Sequence, residues 1–255
     1  MRGLRIATLF PLATVAAGDD ANAIALVRRS RARGLAAAMV TVNRTDDLVA
    51  ADIYLLGGTG RAAAGALAGL LAEAGFVERF AAGRAVLVAV DAGLDAVARE
   101  WVDPQGAVRP GLGLLAATVS AGPATAGTVV TEPNRSLGLP ELVGWVQHDV
   151  RTVRDPGIEP LARLEVPARG GLPEELRDDG ACTDRIIATR LHGPVLALNP
   201  ELADLVLARA VGAPADQWEP LPDPPTDRAR TARIAEVRAA GMRAARRPPR
   251  LLRGR

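Results

Sequence analysis

The chain has 255 residues, 49% of them hydrophobic, which is enough to bury a sizeable core in one large domain or two small ones. Its formal net charge is only +2, so the body of the protein is close to neutral even though all 31 basic residues are arginine. A single cysteine, Cys182, excludes an internal disulfide and is typical of a reducing compartment.

The amino-terminal segment is charged and then apolar, as in a signal peptide, but Pro11 interrupts the apolar run and Gly18-Asp19-Asp20 ends it. No run of the sequence reaches the roughly 20 apolar residues of a membrane span. We therefore expect a cytoplasmic protein.

Short apolar runs alternate with segments of helical spacing along the first half of the chain. The predicted strands are Leu4–Leu9, Ala37–Val42, Ile53–Leu56 and Val86–Val90. The predicted helices are residues 23–33, 61–74, 94–101 and, late in the chain, 201–210. This alternation favours an α/β fold, with a doubly wound, mostly parallel sheet that carries helices on both faces.

The fourth strand is followed by a sharp turn and an Ala-rich helical pattern, with Asp91 at the tip of the turn. Such a turn holds one side chain out above the sheet, as a nucleophile elbow does. A glycine-rich turn, Gly57-Gly58-Thr59-Gly60, follows the third strand. Taken by itself, this turn is better explained by a plain strand-to-helix connection that needs glycine for positive φ.

A second segment, Arg190-Leu191-His192-Gly193-Pro194, stands far along the chain. The two segments together resemble class I glutamine amidotransferases of the cobyric-acid-synthase-like branch, and most of all their GatD-type subunits. In that family the elbow reads Leu-Ala-x-Cys-Gly-Gly-Tyr-Gln, and a Tyr-Leu-His-Gly-Pro segment carries the base. The elbow here reads Asp91-Ala92-Gly93-Leu94-Asp95, so the resemblance puts an aspartate at the position of the cysteine nucleophile.

The resemblance assigns the remaining positions of a catalytic centre. Asp91 has the nucleophile position and His192 the base position. The backbone N–H groups of Gly58 and Ala92 have the positions of an oxyanion hole, which binds the charge of a tetrahedral intermediate. Asp95 and His148 have positions near the substrate.

Further blocks extend the resemblance over about residues 4–212. Gly111-Leu112-Gly113-Leu114-Leu115 matches the family, and Gln147-His148-Asp149-Val150-Arg151-Thr152 stands where the family reads Asn-His-Gly-Gly-Arg-Thr. The family also has an arginine that can hold the glutamine carboxylate through a bidentate contact. This chain has Thr125-Ala126-Gly127 in that region, with no basic residue.

Glutamine hydrolysis of this type needs a thiolate, an imidazole and an oxyanion hole. Loss of the nucleophile in such a centre lowers kcat on the order of 10⁶-fold. Cys182 has no glycine-framed elbow around it, and a lone cysteine is usually a small buried hydrophobe. We instead expect Asp91 and His192 to form an ion pair where the family has its thiolate and imidazolium.

We divide the chain into a glutamine amidotransferase-like domain at 1–212, a Pro-rich linker at 213–225 and an arginine-rich tail at 226–255. Such a tail is usually a solvated terminus, although it can also bind nucleic acid with an affinity that falls steeply with salt. The middle of the tail has helical spacing at Ile234 and Val237.

The sequence therefore predicts a non-catalytic subunit of a Mur-ligase-like (MurT-type) partner, the two forming a heterodimer. ATP and Mg²⁺ would belong to the partner, and we expect no cofactor or metal in this chain. The alternatives are an enzyme that uses Asp91, Asp95 and His192 as a new acid-base site, residual glutaminase activity, and nucleic-acid binding through the tail.

Overall fold

The structure, a computed structural model, describes residues 3–13, 19–58, 60–165, 176–214, 218–219 and 221–245. Thr59 of the predicted glycine-rich turn and residues 246–255 of the predicted tail lie outside these ranges.

The strands of the described ranges are β1 (Leu4–Leu9), β2 (Ala37–Val42), β3 (Ile53–Leu56), β4 (Val86–Val90), β5 (Glu100–Val102), β6 (Val108–Pro110), β7 (Ala117–Glu132), β8 (Val143–Arg154), β9 (Ala162–Glu165), β10 (Asp178–Asp179), β11 (Ala181–Cys182) and β12 (Ile186–Thr189). The α-helices are α1 (Asp19–Ala32), α2 (Ala62–Glu73), α3 (Phe76–Ala82), α4 (Ala92–Val97), α5 (Val195–Leu198), α6 (Pro200–Val211) and α7 (Pro224–Ala245).

The central sheet has the strand order β11-β12-β4-β3-β1-β2, and every neighbouring pair in it is parallel except β11 with β12. Both of its faces are buried. In β4, Leu87 and Ala89 belong to the hydrophobic cluster that includes α2 and α4, whereas Val88 and Val90 belong to the cluster that includes α1 and α6. Because successive side chains of a strand point to opposite faces, helices cover the sheet on both sides, as the sequence predicts.

A second sheet, which the sequence analysis did not predict, has the order β10-β9-β7-β5-β6, with β8 also paired to β7. The long antiparallel pair β7 and β8 shifts register between Ala121 and Thr125, where Pro123 cannot donate a ladder hydrogen bond. The predicted helix at 94–101 is too long. It ends at Val97, since Ala98 is extended, and Trp101 lies in β5 opposite Arg109.

Helix α7 begins at Pro224 and continues across the predicted boundary between linker and tail. Asp223 accepts a hydrogen bond from the Thr226 N–H at 3.4 Å in its first turn. Ion pairs connect the helix to the rest of the fold, from Arg230 to Glu201 and from Arg238 to both Glu141 and Glu165. None of the helices in the described ranges combines the length and the apolar character needed to cross a membrane.

Candidate functional site

The predicted elbow and the predicted histidine segment meet at the carboxyl edge of the central sheet. β4 and β12 are parallel neighbours with Val90 in register with Thr189, and the Asp91 N–H donates to the Thr189 carbonyl at 2.9 Å. The residues that follow the two strands therefore share one edge, which is where ligand sites of open α/β sheets form.

Asp91 has the strained backbone of an elbow, with φ 48° and ψ −105°. A non-glycine residue with positive φ is uncommon, and such strain costs about 1–3 kcal/mol. The turn also depends on Gly93, because a Cβ there would lie 2.2 Å from the Leu56 carbonyl oxygen. The elbow is thus pressed against the end of β3.

Asp91 is 4% exposed, and its carboxylate has three polar neighbours. Its Oδ2 accepts the Gly60 N–H at 3.0 Å and lies 3.7 Å from His192 Nε2. Its Oδ1 accepts from Arg190 Nη1 at 3.4 Å, and the same Nη1 donates to the Asp91 carbonyl at 3.2 Å. Asp91 is held mainly by an arginine and a backbone amide.

Arg190 joins Asp91 to Asp95. Its Nη2 donates to Asp95 Oδ1, and both residues are almost completely buried. Burial raises the pKa of Asp95, and the attraction of Arg190 opposes that rise. One buried guanidinium is therefore shared by two carboxylates. We call Asp91, Asp95 and Arg190 the elbow ion cluster.

Asp179, in β10, fixes the backbone at Arg190. Its Oδ1 accepts the Arg190 N–H at 3.0 Å, and its Oδ2 accepts the Thr189 hydroxyl. The Thr189 hydroxyl oxygen also accepts the Leu191 N–H at 2.9 Å. Burial raises the pKa of Asp179. Side chains from β10 and β12 thus orient the segment that carries Arg190.

His192 is 7% exposed, and its backbone N–H donates to the Trp145 carbonyl at 2.7 Å. Its Nε2 has no hydrogen bond, since the distance to Asp91 Oδ2 suits an ion pair but is too long for a hydrogen bond. Asn22 of α1 holds the segment beyond it, donating to the Gly193 carbonyl at 3.3 Å and accepting the Leu196 N–H at 2.8 Å.

The structure brings Gly58 and Ala92 together, but the Ala92 N–H is directed to the Gly58 carbonyl at 3.3 Å. The amide that faces an anion in this turn is that of Gly60, and the anion is the carboxylate of Asp91. The N–H groups of Gly60 and Ala92 are therefore engaged within the protein.

His148 lies on β8 opposite Thr125, and its Nδ1 is buried without a hydrogen-bond partner. Burial and the nearby positive charge of Arg190 lower the pKa of His148 to about 4. The imidazole is therefore neutral at pH 7.

Cys182 takes no part in this arrangement. It lies on β11 opposite Ile187, and its Sγ accepts a hydrogen bond from Arg209 Nη1 of α6 at 3.2 Å. Burial raises the pKa of its thiol, which disfavours the thiolate. Within the described ranges, no group of three or more His, Cys, Asp or Glu residues has the arrangement of a metal site.

The chain is similar to known proteins in sequence and in fold. The chain is 28% identical over 207 residues to subunit GatD of lipid II isoglutaminyl synthase (glutamine-hydrolyzing) from Staphylococcus aureus strain N315, covering 79% of this chain and 82% of the relative. A crystal structure of a glutamine amidotransferase matches with a TM-score of 0.55 and 20% identity, over 81% of this chain and 98% of that one. The chain is glutamine amidotransferase-like.

A glutamine amidotransferase from Thermotoga maritima also matches, with a TM-score of 0.48 and 10% identity, over 97% of this chain and all of that chain. No family model matches the chain. The similarity to GatD in sequence and to a glutamine amidotransferase in fold makes the protein GatD-like.

The sequence analysis missed two residues of this site, Arg190 and Asp179. A signal for Arg190 was present, since an arginine directly after the apolar strand Ile186–Thr189 is expected to be buried and therefore paired. The two carboxylates at the elbow, Asp91 and Asp95, were the candidates for that pair. No comparable sequence signal points to Asp179.

Proposed function

We propose that this chain is a non-catalytic, GatD-like glutamine amidotransferase subunit that works with a Mur-ligase-like partner of the MurT type. The similarity to GatD over most of both chains supports this role. The partner would bind ATP and Mg²⁺ and form the amide bond. Its nitrogen would come from free ammonia or another amine.

The observation that carries the non-catalytic half is the chemistry at the tip of the elbow. Where the resembling family has a cysteine, this chain presents the Asp91 carboxylate, bound by the Gly60 N–H and Arg190. Attack of a carboxylate on an amide would give a mixed anhydride and expel an amine, which is energetically uphill. Asp91 is therefore a poor nucleophile for glutamine.

Three residues that differ from the family motifs contact one another in the structure. The motifs have Cys, Gln and Tyr where this chain has Asp91, Asp95 and Arg190, and these three side chains form the elbow ion cluster. A single buried carboxylate at the elbow would be costly without a paired cation. The cluster supports a structural role for the old catalytic position.

The backbone around the elbow supports the same role. A tetrahedral intermediate needs free N–H donors aimed at its oxyanion. Here the Gly60 N–H is bound to the Asp91 carboxylate, and the Ala92 N–H is bound to the Gly58 carbonyl. An intermediate would have to displace an anion that belongs to the protein.

A new acid-base enzyme is the second candidate, and one observation favours it. Asp95 Oδ2 and His192 Nε2 are both buried without a hydrogen bond, and the pKa of Asp95 is raised by burial. Groups of that kind occur in active sites. However, Asp91, Asp95 and His192 are 4%, 0% and 7% exposed, so a substrate would reach them only after the site opens.

The test of the non-catalytic half is glutamate release from glutamine. We expect none from the unaltered protein, alone or with a MurT-type ligase, and little from Asp91→Cys because Arg190 and Asp95 remain. The triple variant Asp91→Cys/Asp95→Gln/Arg190→Tyr rebuilds the family motif residues and should release more glutamate than the single variant. The same triple variant with serine at position 91 is the matched control.

Release by the unaltered protein that is lost in His192→Ala would overturn the non-catalytic assignment. Turnover of any substrate that Asp91→Asn abolishes while the protein stays folded would favour the second candidate. The partner is tested separately, by co-purification of the ligase with the unaltered protein and with Asp91→Ala. A ligase that binds neither the unaltered protein nor Asp91→Ala would contradict the proposed partnership, whatever the glutaminase assay shows.

A further inference from the structure

β2 (Ala37–Val42) is the last strand of the central sheet, and within the described ranges its strand neighbour is β1 alone. In a parallel ladder, the backbone groups of alternate residues point toward the same neighbouring strand. The Leu4 N–H donates to the Ala36 carbonyl at 2.7 Å, so the even-numbered residues of β2 bond to β1. The backbone groups of the odd-numbered residues therefore point away from the sheet, namely those of Ala37, Met39 and Thr41.

We call these outward backbone groups the β2 edge, and they are accessible to solvent. Met39 is 42% exposed, and Thr41 is exposed as well. The Arg31 side chain of α1 reaches one end of the edge, where its Nη2 donates to the Ala37 carbonyl at 3.3 Å. A row of exposed N–H and C=O groups without a neighbouring strand is a template on which another strand can form.

β2 differs from the other strands that end the two described sheets. β6 has three residues and contains Arg109 and Pro110, β10 consists of two aspartates, and β11 has only two residues. β8 is long, but it contains three charged side chains among its 12 residues. Short length, charge and proline are the features by which proteins prevent edge-to-edge pairing. β2 has six residues with neither a charge nor a proline, so its edge lacks this protection.

The charges at the two ends of β2 indicate what pairs with it. Arg31 lies at the amino-terminal end, bound to Ala37, and the exposed residues that follow the carboxyl end include Arg44, Asp46 and Asp47, with a net charge of −1. A second copy of the chain in antiparallel orientation would bring the basic end of each β2 to the acidic end of the other. Twofold symmetry repeats this complementary contact. A parallel arrangement would bring like charges together, which is unfavourable.

We propose that β2 pairs with β2 of a second copy in antiparallel orientation, which joins two six-stranded sheets into one continuous sheet. In the register centred on the middle of the strand, Met39 lies opposite Met39 of the second copy, and Ala37 lies opposite Thr41. These odd-numbered residues are the ones whose backbone groups face outward, so each of these pairs can exchange hydrogen bonds. The elbow lies at the ends of β4 and β12 and not at β2, so the pairing does not depend on the proposed function.

The experiment measures the mass of the full chain in solution by sedimentation equilibrium over a range of concentrations. We expect a reversible equilibrium between monomer and dimer. Met39→Lys places two like charges opposite each other and should raise the Kd of the dimer about fivefold or more. Val153→Lys is the matched control, because it changes a strand residue of similar exposure, 45% against 42%, in the second sheet. It should leave the Kd unchanged, and the Tm of both variants shows that they are folded.

A mixture of two variants tests the register. Met39→Glu alone should dimerise as weakly as Met39→Lys, whereas an equimolar mixture should have a Kd about fivefold or more below that of either variant, because opposite charges then face each other. Thr41→Pro should also weaken the dimer, since it removes an outward N–H and keeps the hydrogen bonds to β1. A chain that stays monomeric up to about 1 mM would overturn the proposal. Equal effects of Met39→Lys and Val153→Lys, or no recovery in the mixture, would overturn it as well.

Discussion

Two sets of arginine–carboxylate contacts connect distant parts of this chain, and they differ in their exposure to solvent. In the elbow ion cluster the side chains of Arg190, Asp91 and Asp95 are 3%, 6% and 0% exposed. At helix α7, Arg238 is 42% exposed, and its partners Glu165 and Glu141 are 36% and 34% exposed. The geometry of the pairs is similar, but their surroundings are not.

The difference determines what each set can contribute. Water screens the contacts of Arg238, and exposed pairs of this kind are worth about 0–1 kcal/mol. The elbow ion cluster is formed in a medium of low dielectric, where removal of one member leaves another charge buried and unpaired. A buried cluster therefore fixes which side chains must change together, whereas a surface pair tolerates separate change.

Removal of Arg190 should produce the largest effect. Arg190→Leu leaves Asp91 and Asp95 buried beside each other without a cation, and the expected loss in the free energy of unfolding is about 3–5 kcal/mol. Urea denaturation at neutral pH measures it. Arg190→Leu combined with Asp91→Asn and Asp95→Leu should recover much of the loss, because no charge of the elbow ion cluster remains. An equally large loss in the triple variant would show that packing, and not charge, is what Arg190 supplies.

The pH dependence of stability should reveal His148. Its folded pKa of about 4 lies below the ordinary value of 6.5, so the unfolded chain binds the proton more readily. The stability that His148 contributes is therefore complete above pH 6.5 and is lost as the pH falls toward 4, by about 3 kcal/mol in all. Asp95 and Asp179, whose pKa values are raised, lose stability in the opposite direction, as the pH rises.

The contribution of His148 is isolated by subtraction. Denaturation of the unaltered protein and of His148→Gln is compared across this pH range, since the carboxyl groups remain in both proteins. We expect the difference in the free energy of unfolding to shrink on the acid side. A difference that is constant with pH would contradict the lowered pKa.

Gly93 tests the elbow without changing any charge. Gly93→Ala places a Cβ at 2.2 Å from the Leu56 carbonyl oxygen, so the turn must shift, at an expected cost of about 1–3 kcal/mol. Gly69→Ala is the matched control, because a Cβ there meets nothing within 4 Å and the residue lies inside α2. The control should be neutral or stabilising, by up to about 1 kcal/mol. Similar thermal unfolding of the two variants would contradict the close packing of the elbow.

The sequence was sufficient for the parts of the fold that rest on local patterns. The bounds of β1, β2, β3 and β4 agree with the predicted strands, because each is a short run of mostly apolar residues. The second sheet was missed, since β7 is rich in Ala, Gly and Thr and contains Pro123, so that it lacks a clear alternation.

The candidate site was predictable only in part, for a related reason. The motifs placed Asp91 and His192 near each other, and the structure puts Asp91 Oδ2 3.7 Å from His192 Nε2. The pairing of Asp91 and Asp95 with Arg190 depends on which side chains converge after two strands have been aligned. Asp179 reaches the same segment from β10, which sequence spacing alone does not bring there.

Arg238 gives the smallest expected effect and completes the comparison with Arg190. Arg238→Gln removes two exposed ion pairs of α7, so the free energy of unfolding should fall by less than about 1 kcal/mol, and by less still at high salt. Parallel urea denaturations of this variant and of the unaltered protein, at low and high salt, measure it. Arg230→Gln is the control on the same helix, because Arg230 pairs with Glu201, whose side chain is 36% exposed. A loss in Arg238→Gln as large as that in Arg190→Leu would mean that the position of α7 depends on these contacts, and that exposure does not separate the two sets.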